Sequence, residues 1–318
     1  MGSRTISTLA AGLAALAVAV TPAQAQKRYG PGATDHEIKI GTTTPYSGPA
    51  SAYSAGAVSI AAFFAMVNEQ GGVNGRKLNF ISLDDAYSPP KTVEQIRRLI
   101  ESEEVLFLVN PVGTAPNMAV LKYINQKKVP HLFVGSGATI FNDPEHFPWT
   151  MSWTPHYASE GEIYARHVLA AKPDARIGVI AQNDDLGRDY LLGFRRGLGE
   201  RASSMIVSTQ TYNTSDPTID SQIVSLKASG ADVLLIAAVP RFAAQAIRKA
   251  QILKQCGDDL TRESIMKQAS HLDMELPMLL PGIRLKTTPS DLRPIKQMRL
   301  VRFDGERYVL FSDVLASQ

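Results

Sequence analysis

The chain of 318 residues is 44% hydrophobic and 20% charged, which excludes a disordered polymer and a collagen-like fibre, and its length favours two domains. Thirty-three basic residues stand against thirty acidic ones without a run of like charge, so nothing marks a nucleic-acid partner. Cys256 is the only cysteine, which excludes an intrachain disulfide and a CxxC motif and reads as a buried, inert thiol.

Arg4 is the only charge before Lys27, and Leu9 to Val20 is an apolar run too short to span a bilayer. With Pro22 and the small-residue site Ala23-Gln24-Ala25 it reads as a secretory signal over 1–25, cut after Ala25. No cysteine lies near the cut to carry a lipid, so the expectation is a protein free in the periplasm, with no direct membrane insertion.

After a linker over 26–36, short β-rich runs alternate with stretches of helical period, the mark of parallel βα units. Strands are expected at 38–44, 78–83, 105–109 and 131–134, with helices at 51–69, from 93 to 100 and at 118–126. Thr154-Pro155 reads as a crossing into a second unit. There helices are expected at 160–171, 189–198 and 219–228, and strands at 176–181, 205–211 and 233–239. The wholly apolar Val233-Leu234-Leu235-Ile236 implies a central strand covered on both faces. Helices follow at 242–256 and 261–269. Met298 to Phe303 and Arg307 to Phe311 flank Asp304-Gly305-Glu306 as a β-hairpin.

Motifs of catalysis are missing: HExxH, GxSxG, GxxxxGK[ST] and GxGxxG do not occur, and the six histidines stand apart. No catalytic residue, metal site or cofactor is expected. Asp84-Asp85 reads as capping for the turn before the next helix, and Gly71 to Arg76 as a helix C-cap and turn. Three loops, 45–54, 110–116 and 135–139, lie where open α/β sheets bind ligands, beyond the carboxyl ends of parallel strands. Small residues and exposed amides there suit a carboxylate, and Tyr53 offers an amphipathic wall. Ordinary turn chemistry explains any one of these loops taken alone.

Ser47-Gly48-Pro49 with Tyr53, Asn68-x-x-Gly71-Gly72-Val73-x-Gly75-Arg76, Asp84-Asp85 with Pro89, and Gly137-Ala138-Thr139 together resemble the type I periplasmic solute-binding proteins of ATP-binding-cassette importers, of the leucine/isoleucine/valine-binding kind. The resemblance implies two open parallel-sheet α/β lobes joined by a hinge and closing on one small ligand. It implies lobe 1 over 37–154, lobe 2 over 155–250, helices returning to lobe 1 over 251–275, and C-terminal strands and a hairpin over 276–318. Gly113 and Thr114 match the loop that binds a ligand carboxylate, Gly137, Ala138 and Thr139 its partner loop, and Tyr53 an aromatic of the pocket. Leu186 falls where amino-acid binders carry a contacting aromatic. After Ala250 the likeness skips on the order of eighty residues, around half an average domain, so lobe 2 is expected to be incomplete. That stretch would carry the acidic group facing a ligand ammonium. The implied partners are a small carboxylate ligand, an amino acid by the resemblance, and an inner-membrane permease of an ATP-binding-cassette importer. A sensory protein of the same fold, a binding-impaired remnant, a binder of a non-amino or aromatic carboxylate and a secreted α/β hydrolase stay open at this point.

Overall fold

The computed structural model describes residues 29–256, 267–275, 279–291, 296–303 and 308–316. The signal segment over 1–25 lies outside them. The expected alternation folds into two separate parallel sheets. The first unit runs β1 (Glu37–Thr44), α1 (Ser54–Glu69), β2 (Lys77–Asp84), α2 (Pro89–Arg97), β3 (Phe107–Val109), α3 (Thr114–Lys127), β4 (His131–Val134) and β5 (Thr150–Ser152). Its strands lie in the order β2-β1-β3-β4-β5, all neighbours parallel. β1 and β2 pair without a slip from Glu37 opposite Lys77 to Thr44 opposite Asp84. The turn between α1 and β2 is the one read from its glycines: Gly71, Gly72 and Gly75 have φ of 100°, 73° and 78°, and Val73 bridges Arg76.

The second unit comprises α4 (Tyr157–Ala171), β6 (Ile177–Gln182), α5 (Asp185–Leu198), α6 (Ala202–Met205), β7 (Ile206–Tyr212), α7 (Asp220–Ala228), β8 (Val233–Ala237) and α8 (Pro240–Cys256). Its strand order is β7-β6-β8. This corrects the reading of Val233 to Ile236 as a central strand. The centre is β6, buried along its whole length, while β8 pairs only with β6 among the described residues.

Several helices, α2 to α5 among them, start earlier than the apolar period alone indicated. α5 begins at Asp185 because Asp184 caps it, its carboxylate accepting from the amide of Leu186 at 3.0 Å. α3 begins at Thr114, with Pro116 in its first turn. β5 was not foreseen, since three residues between Trp149 and Trp153 are too few to show a period of two.

Farther along, β9 (Asp273–Glu275) pairs antiparallel with β10 (Arg284–Lys286), β11 (Gln297–Met298) with β14 (Leu315–Ala316), and β12 (Val301–Phe303) with β13 (Tyr308–Leu310). The expected hairpin is β12 with β13. Its turn over 304–306, and most of the helix expected over 261–269, lie outside the described residues. The single strand read over Met298 to Phe303 is instead two short pieces with different partners.

Each sheet carries its own core. Ile96, Leu99, Leu108, Val120 and Ile124 fill the space between α2, α3 and the first sheet. Ile177, Val179, Phe194 and Leu198 do the same beneath α4 and α5. At roughly 1.5–3 kcal/mol for each fully buried large aliphatic or aromatic side chain, each of these clusters contributes a large stabilising term to its unit. A third cluster joins the units: Ala50 and Tyr87 of the first pack among Ile180, Tyr212, Val239 and Phe242 of the second. By length and composition Ser51–Glu69 could cross a membrane, but here its α-helical part is the crossover between the parallel strands β1 and β2.

Candidate ligand-binding site

Two hollows flank the carboxyl end of the first sheet. The larger, about 720 Å³, is an open groove beside α1 lined by Phe63, Phe64, Phe107, Phe133 and Trp153. The smaller, about 410 Å³, lies between the two units, where Tyr53, Tyr87, Asn110 and Gly113 of the first meet Tyr157 and Leu186 of the second. Only the second has walls from both sheets and sits beyond the ends of the parallel strands, where open α/β folds bind ligands. None of the described residues lining it is charged.

The strained turn after β2 builds one wall. Ala86 and Tyr87 both have positive φ, 52° and 58°. Two aspartates hold them there. Asp84 accepts from Ser47 Oγ at 2.7 Å, Lys91 Nζ at 2.8 Å and the Ala86 amide at 3.0 Å. Burial alone would raise the Asp84 carboxyl; these bonds outweigh it and hold the group well below the usual carboxylate range. Asp85 is fully buried and accepts from the Tyr87 amide at 3.0 Å and Thr92 Oγ1 at 2.9 Å. The aspartate pair thus does the turn-capping work read from its sequence, and by doing so drives the Tyr87 ring between the sheets. Burial pushes the Tyr87 hydroxyl well above its ordinary pKa and Tyr53 up to about 12.

A buried polar chain supports the loop over 110–116. His131 is fully buried, and burial pulls its pKa down to about 3. The neutral ring fits its partners: Nε2 donates to Asn117 Oδ1 at 3.0 Å and Nδ1 faces Thr150 Oγ1 at 3.4 Å. Asn117 Nδ2 in turn donates to the carbonyls of Gly113 at 2.7 Å and Pro111 at 3.0 Å. Unfolded histidine titrates near 6.5, so between about 3 and about 6.5 the unfolded chain binds a proton that the folded chain refuses. Stability is therefore expected to rise with pH through that window and to fall on acidification below about 6.5, by up to about 1.4 kcal/mol per pH unit. Urea unfolding at pH 5 and pH 7 measures it. His131→Gln, which keeps an N–H for Asn117, should flatten this part of the slope.

The expected site residues divide into two groups. Tyr53, Gly113 and Leu186 meet at the cavity. Thr114 is buried behind it with its hydroxyl on Ser136 Oγ at 2.8 Å. Gly137 is packed so closely that a Cβ would stand 2.2 Å from the Pro155 carbonyl oxygen, and Ala138 is fully buried beside Phe141. Thr139 is exposed, and its amide donates to Asp189 Oδ2 of α5 at 2.8 Å. The Gly113 amide donates to the Gly135 carbonyl at 3.2 Å. Sequence reasoning missed Tyr87 and Tyr157, and took Asn110 only as the start of the loop over 110–116. The available signal was positional: Tyr87 follows the Asp84-Asp85 turn and Tyr157 the Thr154-Pro155 crossing, both already singled out.

Residues 37–252 match the family model described as periplasmic binding protein. The chain belongs to the periplasmic binding protein family. A Leu/Ile/Val-binding protein homolog 7 of Brucella abortus is 26% identical over 228 residues, 69% of this chain and 56% of its own length. The match thus spans little more than half of that relative. Among solved structures, a fatty acid ABC transporter substrate-binding protein from Thermomonospora curvata superposes with a TM-score of 0.63 at 23% identity, covering 72% of this chain and 57% of its own. An ABC transporter solute-binding protein from Rhodopseudomonas palustris BisB5, in complex with 3,4-dihydroxybenzoic acid, gives 0.55 at 16% identity, covering 88% and 97%. The likeness to these solved structures is one of fold: the type I arrangement of two parallel-sheet α/β lobes, the second contributing three parallel strands among the described residues.

Proposed function

We propose that this periplasmic binding protein is the substrate-binding component of an ATP-binding-cassette importer, capturing a branched-chain amino acid or similar small carboxylate between its lobes and delivering it to an inner-membrane permease. The observation that carries the reading is the convergence of Tyr53, Gly113 and Leu186 from both sheets on one 410 Å³ cavity. The uncharged lining and its three tyrosine rings favour a ligand with an apolar or aromatic body. In this reading 37–154 form the first lobe and 155–250 the second, Thr139 and its loop face the ligand carboxylate, and no step of catalysis is involved. Thr139→Val keeps the shape and removes the hydroxyl, so it should weaken binding of the carboxylate by roughly ten- to hundredfold, the worth of a hydrogen bond to a charged group. Calorimetric titration checks it; unchanged affinity removes the Thr139 hydroxyl from the site.

The same proposal places the mature protein in the periplasm with residues 1–25 removed. Mass spectrometry of protein from a periplasmic extract should show an N-terminus at Gln26, and a product retaining Arg4 would contradict it.

A further inference from the structure

The loop read as a carboxylate site already holds a carboxylate. Thr139 and Asp189 are fifty residues apart in sequence, on the loop after β4 and on α5, yet the Thr139 amide donates to Asp189 Oδ2 at 2.8 Å. Other groups of the two binding loops pair within the first unit: Gly113 N donates to the Gly135 carbonyl, Ala138 N to Ser136 Oγ at 3.2 Å, and the Thr114 hydroxyl meets Ser136 Oγ. Asp189 alone comes from the second sheet's unit and carries charge. Arg188 lies close enough to Asp189 to feel its field but is bound to Asp185 at 2.5 Å.

We propose that Asp189 is a specificity-determining residue: its carboxylate stands in for that of the ligand on the Thr139 amide, so that an incoming carboxylate must displace it. One N–H makes one well-aligned hydrogen bond, and two carboxylates at that point repel each other. The occupied amide therefore taxes every ligand that presents a carboxylate to this loop and spares ligands that do not. The displaced side chain swings into solvent, since Asp189 is only partly buried. The inference rests on the proposed carboxylate capture, but its first readout needs no ligand.

Asp189→Ala removes the competitor, and Asp189→Asn keeps an acceptor without the charge. In the full mature protein without added ligand, hydrogen exchange at the Thr139 amide should quicken at least tenfold in Asp189→Ala and less in Asp189→Asn. Titration with L-leucine and with 3,4-dihydroxybenzoate should then show whichever binds the wild type binding about ten- to hundredfold more tightly to Asp189→Ala, with Asp189→Asn between. Unchanged exchange at Thr139 overturns the inference, and so does quickened exchange with equal or weaker carboxylate affinity. Quickened exchange with neither compound bound by any of the three proteins supports the hold of Asp189 on the amide and overturns the proposed ligand class instead.

Discussion

Gly193→Ala is expected to destabilise the second lobe by about 3 kcal/mol or more, at the upper end of what overpacking costs. α4 and α5 cross through glycines. A Cβ on Gly193 would stand 1.8 Å from the Ala158 carbonyl oxygen, one on Gly161 2.4 Å from the Tyr190 carbonyl oxygen, and one on Gly197 2.7 Å from Ala165 Cβ. The obstacles at Gly193 and Gly161 are backbone atoms, which cannot rotate aside, so the helices must separate. Separation would pull Phe194 and Leu198 out of the core they share with Ile177 and Val179, and would unstack Tyr157 from Tyr190, whose rings lie 4.7 Å apart. A few kcal/mol is a large share of a typical folding free energy. Urea unfolding should show a strongly lowered midpoint for Gly193→Ala, whereas Leu192→Ala, on the exposed side of the same helix, should leave it nearly unchanged.

Gly113→Ala is expected to abolish useful ligand binding, with a loss of about a hundredfold or more, while lowering stability by about 1–3 kcal/mol. Gly113 has φ of 109° and ψ of 145°, a region that side chains with a Cβ essentially never occupy. The added Cβ would lie 2.5 Å from Tyr87 Cε2 and 3.0 Å from Pro116 Cγ. Tyr87 cannot retreat, because its ring is packed against the second lobe and its turn is fixed by Asp85. The loop must therefore move into the cavity. Titration of a variant with native circular dichroism separates lost binding from lost fold; wild-type affinity would show that Gly113 does not shape the site.

The fold was legible because parallel βα units write their period plainly. β1, β2 and β4 appear almost to the residue, and the turn from Gly71 to Gly75 follows from positions that need positive φ. What could not be read was set by distant partners. The place of β8 at the edge of the sheet among the described residues depends on which neighbour is present in space, and an apolar run alone cannot report it. β5 is three residues long and exists because β4 offers it a partner. Tyr53, Gly113 and Leu186, which line the cavity, were named through the family resemblance. Tyr87 was not, because its placement needs the left-handed turn that Asp84 and Asp85 impose together. Asp189 was hidden for a related reason: its partner is fifty residues away, on the other sheet's side of the cleft.

The account stands or falls on whether the cavity between the sheets captures a small carboxylate. The direct measurement is a thermal-shift screen of the mature protein against leucine, isoleucine, valine, fatty acids of graded length and 3,4-dihydroxybenzoate, repeated on Tyr53→Ala and Leu186→Ala. The account predicts that at least one of these compounds raises the melting temperature of the wild type and that both substitutions abolish or sharply reduce the shift. A shift of full size in both variants would place the ligand elsewhere, and no shift with any of these carboxylates would contradict the proposed capture.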